Sequence, residues 1–118
     1  MSGIISRDVA GNPLAEPTIT ATLARIAGPF HAGRFNCLTF TIYNTGSVAL
    51  SACKIRSAPW AAEVASPLWK DEDTTTFAAL AAGAADRKAF ANNAQPYWDV
   101  MAQVASGSTT AQVFFNAN

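Results

Sequence analysis

Charge is scarce in this chain. Asp, Glu, Lys and Arg make up 14% of its 118 residues, eight basic against eight acidic, where a soluble protein carries roughly a quarter. The basic residues are scattered from Arg7 to Lys88, and the Arg87-Lys88 pair reads as a solvated edge. That excludes the concentrated Lys/Arg stripe with which a protein tracks phosphates, so no nucleic-acid partner is expected. Histidine occurs once and cysteine twice. With one His, two Cys and no zinc-type spacing, neither a metal site nor a cofactor is expected. Long apolar runs are lacking as well, so no membrane span is expected. Met1-Ser2-Gly3-Ile4-Ile5 has neither the basic start nor the apolar core of a signal peptide. The expectation is synthesis in a cytoplasm, with both thiols made reduced.

What the chain has is alternation. Half of its residues are apolar, enough for one core and too few residues for two ordinary domains. Residues 2–16 hold Gly3, Gly11 and Pro13 among brief apolar stretches, so 1–16 reads as an extended N-terminal arm and 17–118 as a single β-domain. Ile19, Ala21 and Leu23 alternate with three threonines, a strand with one face in, ended by Ala27-Gly28-Pro29. Pro59 and Pro67 argue against a long continuous strand over 57–73. Residues 74–92 read as strand, turn, strand, although their alanines favour helix by propensity.

Two segments look like β-hairpins. Asn44-Thr45-Gly46 suits a three-residue loop. That register sets Ile42 opposite Val48, Phe40 opposite Leu50 and Leu38 opposite Ala52, giving one apolar face. It also sets Cys37 across from Cys53 and Phe35 across from Ile55 on the outer face. Such a patch needs cover, from the same chain or from a partner. A disulfide between the two cysteines is possible there but not favoured by the geometry of a hydrogen-bonded strand pair. The second hairpin turns at Gly107-Ser108 and pairs Val104 with Ala111, Ala102 with Val113 and Val100 with Phe115. It makes the C-terminus a core strand that does not tolerate trimming past Phe114.

Phe77, Leu80 and Gly83, the alternating Ala85 to Phe90, and the Trp98 strand resemble late strands of immunoglobulin-like sandwich modules in bacterial and phage surface proteins. The resemblance implies two packed antiparallel sheets, as do about seven short strands with frequent turns. The expected fold is therefore all-β, a two-layer antiparallel β-sandwich of immunoglobulin-like kind with an extended arm.

No catalytic constellation accompanies it. His31 lies in a Gly/Pro loop with no positioned nucleophile or orienting acid. Asp71-Glu72-Asp73 lacks the ligand spacing of a calcium loop and reads as a solvated acidic loop. Nothing sets Glu63, Asp99 and Asp86 at the separation that paired-carboxylate hydrolysis requires. Trp60 and Trp69 stand in the Pro-punctuated stretch, either as exposed anchors and sugar platforms or as plugs of a small core. The interface residues expected are Phe35, Ile55, Trp60 and Trp69. No catalytic activity is expected. The favoured reading is a structural protein of a phage virion, a capsid decoration or cement protein. Its partners would be the major capsid protein, other virion proteins and copies of itself. A tail, fibre or baseplate component and a carbohydrate-binding or adhesion module are the alternatives.

Overall fold

The computed structural model describes residues 4–5 and 16–118. The described residues form nine strands: β1 (Ile4–Ile5), β2 (Thr18–Thr20), β3 (Ala24–His31), β4 (Leu38–Asn44), β5 (Leu50–Ala58), β6 (Lys70–Asp73), β7 (Ala85–Phe90), β8 (Tyr97–Val104) and β9 (Ser108–Ala117). Every pairing is antiparallel. One sheet runs β1-β9-β4-β7 with β2 also on β9, and the other runs β3-β8-β5-β6. The expected two-layer β-sandwich is what forms.

Its strand order follows from one long ribbon rolled up. β2 pairs β9, β3 pairs β8, β4 pairs β7 and β5 pairs β6; rolling then brings β9 onto β4 and β8 onto β5. This order, β2-β9-β4-β7 over β3-β8-β5-β6, is that of the eight-stranded jelly roll. The immunoglobulin order ABED over CFG pairs three sets of consecutive strands. Here, from β2 onward, β5 and β6 alone are consecutive and paired.

The two expected hairpins are therefore arches. β4 and β5 lie in different sheets, and so do β8 and β9. Alternation identifies the inward faces of β4, β8 and β9 correctly: Leu38, Phe40, Ile42, Val100, Ala102, Val104, Ala111, Val113 and Phe115 are all buried. An apolar face meets an apolar face equally well beside it in a sheet or across a core, so alternation does not select the neighbour.

Cys37 and Cys53 are not opposed. Both are free, Cys37 exposed ahead of β4 and Cys53 buried in β5. A register shift against β8, from Leu50↔Val104 to Ala52↔Gln103, leaves Ser51 as an extra residue and reverses the phase of β5. Cys53 and Ile55 thereby turn into the core, and Phe35 packs half-buried against it, so the expected Phe35/Ile55 surface patch does not exist.

Other boundaries moved too. The strand expected over 18–23 is only Thr18–Thr20 and buries Ile19, whereas Leu23 is exposed. β3 continues through Ala27-Gly28-Pro29, absorbing them with two register shifts. Gly28 sits at φ 98°, where a Cβ would stand 2.9 Å from the Trp98 carbonyl oxygen, so the close approach of β3 to β8 requires glycine. Residues 74–84 form turns, and β7 is the single strand of 74–92. Most of the expected arm lies outside the described residues; its Ile4–Ile5 pairs with Asn116 and Ala117 of β9.

The core is aromatic. Phe30 stacks on Phe115 at 4.5 Å, Phe40 lies 5.0 Å from Phe115, and Trp98 meets Phe90 at 4.9 Å. An asparagine ties the loops at each end, Asn44 fully buried and Asn93 half-buried. Asn44 donates to the carbonyls of Val48 and Leu80 and accepts from Thr109 Oγ1 and Gly46 N. Asn93 donates to the carbonyls of Ala32 and Phe35 and accepts from Gln95 N and Trp98 Nε1. Each side chain thus satisfies two donors and two acceptor sites.

Three sheet edges are blunted against strand addition. β7 presents Asp86, Arg87 and Lys88, β6 is four residues of Lys-Asp-Glu-Asp, and β3 carries the Gly-Pro interruption. Charged, short and irregular edges resist pairing with another chain.

Candidate functional site

Three of the five large apolar side chains exposed among the described residues, Trp60, Val64 and Leu68, lie on the loop between β5 and β6. Pro59 and Pro67 keep residues 59–69 out of the sheets. Local bonds shape the loop: Ser66 N donates to Glu63 O at 2.9 Å, Leu68 N to Ser66 Oγ at 3.2 Å and Trp69 N to Ser66 O at 3.2 Å.

A charge cluster on β3, β5 and β8 pins it down. Arg56 pairs with Asp99, as does Arg25, so arginines from both strands beside β8 converge on this one fully buried carboxylate. Arg56 Nε reaches Asp99 Oδ1 at 2.9 Å, Arg56 Nη2 bonds Oδ2, and Arg25 Nε lies 2.9 Å from Oδ2. The Trp69 ring covers both guanidinium groups, at 5.1 Å from Arg25 Cζ and 5.0 Å from Arg56 Cζ. Two more bonds secure the loop backbone: Arg56 Nη1 donates to Val64 O at 3.0 Å, and Trp69 Nε1 to Ala62 O at 3.3 Å. Cation–π contact and charge-assisted hydrogen bonds act together here, away from bulk water.

The two tryptophans therefore divide. Trp69, expected as an interface residue, is buried over the arginines, whereas Trp60 is 65% exposed, with Val64 and Leu68 also exposed on the same loop. The result is an apolar surface on a segment whose conformation is fixed from beneath. The pattern is that of a docking surface: a large aromatic anchor, aliphatic neighbours and a rigid support.

The remaining candidates are occupied by the fold. His31 ends β3, exposed, and stacks on Tyr97 at 4.8 Å. The acidic triplet lies on β6 rather than in a loop: Asp71 pairs with Lys54 at 3.3 Å, Glu72 accepts from Ser57 Oγ at 2.6 Å, and Asp73 accepts from Thr76 N and Oγ1. Glu63, Asp86 and Asp99 stand on a loop, on β7 and on β8. Among the described residues no group of three His, Cys, Asp or Glu side chains could hold a metal ion. Burial, reinforced by the nearby Asp73 charge, pushes the Cys53 thiol up to about 12, far from a reactive thiolate.

Sequence reasoning missed Arg25 and Arg56, and weighed Asp99 only as a catalytic carboxylate. The available signal was Asp99 itself, a lone acid between Trp98 and Val100 in a charge-poor apolar strand. A buried charge must be paired.

Compared with known proteins, the chain matches no protein-family model and no curated protein in sequence.

Proposed function

We propose that this protein is a non-enzymatic structural subunit of a phage virion, a decoration or cement protein that docks on the major capsid shell. The observation that carries the reading is the clamped loop presenting Trp60, Val64 and Leu68 to solvent, on a sandwich with three blunted edges. Blunted edges disfavour strand addition, which leaves the loop as the natural contact. The exposed apolar area of those three side chains is on the order of 300 Å², like the largest patch on an ordinary monomer. A stable interface covers about 800 Å² per partner, so the patch is the centre of a contact with a polar rim. A jelly roll is one of the architectures of viral shells and supports the reading by analogy alone.

The two-tryptophan sugar platform loses its basis, because Trp69 is buried under its own loop. The genetic test is to translate the frames flanking the gene. Shell, portal and terminase-like neighbours support the proposal, and their order separates head from tail; secretion machinery, cell-wall anchors or sugar hydrolases overturn it. The biochemical test mixes the purified protein with shells assembled from the neighbouring shell gene. Wild type should co-sediment with them. Trp60→Ser should fold normally and remain in the supernatant; equal co-sedimentation removes the patch from the contact.

A further inference from the structure

A second feature lies where the loops 59–69 and 91–96 meet at one end of the sandwich. A cleft of about 440 Å³ has Pro59, Pro67 and Leu68 on its walls, with Lys70, Glu72 and Gln95 among its polar groups. A smaller cavity of about 120 Å³ shares Glu72 and Gln95, and adds Asn92 and the rings of Phe90 and Trp98. Glu72 and Gln95 thus stand between two adjoining lobes. Trp60 and Val64 line neither lobe.

We propose that this two-lobed cleft binds a neutral saccharide unit. Its polar groups have hydrogen-bonding capacity to offer. Ser57 occupies Oε2 of Glu72, leaving Oε1. Among the described residues, neither the Lys70 ammonium nor the side-chain amides of Gln95 and Asn92 have hydrogen-bond partners. Asn93, by contrast, spends all its capacity on the fold. One carboxylate, one ammonium and two primary amides offer acceptors and donors in near balance. Their charges cancel, so a ligand of either sign gains from one group what it loses to the other. A hydroxyl both donates and accepts, and so suits such a mixed set. The apolar face of a sugar ring has proline and leucine surface to lie against in the larger lobe and the half-buried Phe90 in the smaller one. The size agrees, since ligand sites run from roughly 300 to 1,000 Å³. An extended peptide is disfavoured, because the strand beside the cleft is the short, charged β6.

This inference does not rest on docking through Trp60, and its test uses different residues. The ¹⁵N-labelled protein is titrated by NMR with a panel of neutral methyl glycosides and disaccharides up to tens of millimolar, with sulfate and a charged peptide alongside. Saturable shifts at Lys70, Glu72, Asn92 and Gln95 are expected with at least one sugar. Glu72→Gln and Gln95→Ala should each weaken that binding about tenfold, the worth of one good polar contact. Both changes spare the fold: Gln can still accept from Ser57, and Gln95 serves Asn93 and Trp98 through its backbone. Asn92→Gly is a third variant, because φ 57° suits glycine. A flat response to every sugar overturns the proposal. So does a sugar response that none of the variants alters, or one seen only with sulfate or peptide. Loss of sugar binding with intact shell binding leaves the docking proposal standing, and the reverse holds for Trp60→Ser.

Discussion

Asp99→Asn is the most informative single change in this molecule. Asp99 is fully buried and carries two arginines, and its replacement keeps shape while removing the one negative charge between them. Each guanidinium–carboxylate pair is worth about 4 kcal/mol at ~4 Å and an effective dielectric of ~20, before desolvation is subtracted. The Arg25 side chain is 22% exposed, so its share is screened, whereas Arg56 at 8% is nearly dry. In the variant, two cations remain against one Trp69 ring with no counter-charge, and one amide hydrogen faces a guanidinium. The expected loss is roughly 3–5 kcal/mol, the range for breaking one partner out of a buried pair, against a total stability of about 5–15 kcal/mol for a domain. Urea unfolding followed by far-UV circular dichroism reads it as a lower midpoint at unchanged slope. A loss under about 1 kcal/mol, the worth of an exposed pair, refutes the clamp. The converse variant sharpens the argument: replacing Arg25, Arg56 and Asp99 together by apolar residues of similar volume should cost less than Asp99→Asn alone. Arg25 has a buried Nη2 without a partner, so Arg25→Met should cost less than Arg56→Met.

Trp69→Ala should cost about 3–5 kcal/mol, whereas Trp60→Ala should change stability by no more than about 0.5 kcal/mol; similar unfolding midpoints for the two would contradict their division of labour. Asn44→Ala, which strands the Val48 and Leu80 carbonyls and Thr109 Oγ1, should cost about 2–3 kcal/mol by thermal or urea unfolding; a neutral result would mean water replaces the side chain. The Cys53 thiol has its pKa raised from 9.0 to about 12 in the fold. The unfolded chain therefore loses that proton first, so stability is fully present below pH 9 and is lost progressively as pH rises from 9 towards 12. Cys53→Val should flatten that limb, and an unchanged alkaline limb would place the dependence on other groups. At pH 8, iodoacetamide should label exposed Cys37 and spare Cys53 until urea is added, a pattern that mass spectrometry reads directly. Deleting residues 113–118 should abolish cooperative unfolding, because β9 is paired on both sides by β4, β1 and β2; a stable truncated domain would be incompatible with that position.

Two different kinds of information separate what was legible in the fold from what was not. Which side of a strand faces in is a local property, written in every second residue. Leu38 to Ile42 and Val100 to Val104 carried it without ambiguity. Which strand lies beside which is set by the rolled ribbon, and neither Asn44-Thr45-Gly46 nor Gly107-Ser108 distinguishes a hairpin from an arch. The single extra residue at Ser51 mattered more than any turn signal, because it reversed the faces of Cys53 and Ile55. With them went the proposed thiol pair and the proposed patch.

The candidate site was half legible for a related reason. The prolines of 59–69 announced a loop, and a loop with two tryptophans announced an anchor, but exposure depends on what the loop covers. It covers the outer face of the β3-β8-β5-β6 sheet, where Arg25, Arg56 and Asp99 converge from three strands that lie far apart in sequence. Once those charges are paired they still need a lid, since a partly dry ion pair open to water on one side would exchange its partners for solvent. Trp69 is that lid, which is why it cannot also be a contact for a partner. Trp60 is left outside, held by a segment that loses little entropy on binding because the clamp has already ordered it. The charge-poor composition thus has a local exception, and that exception gives the loop its rigidity.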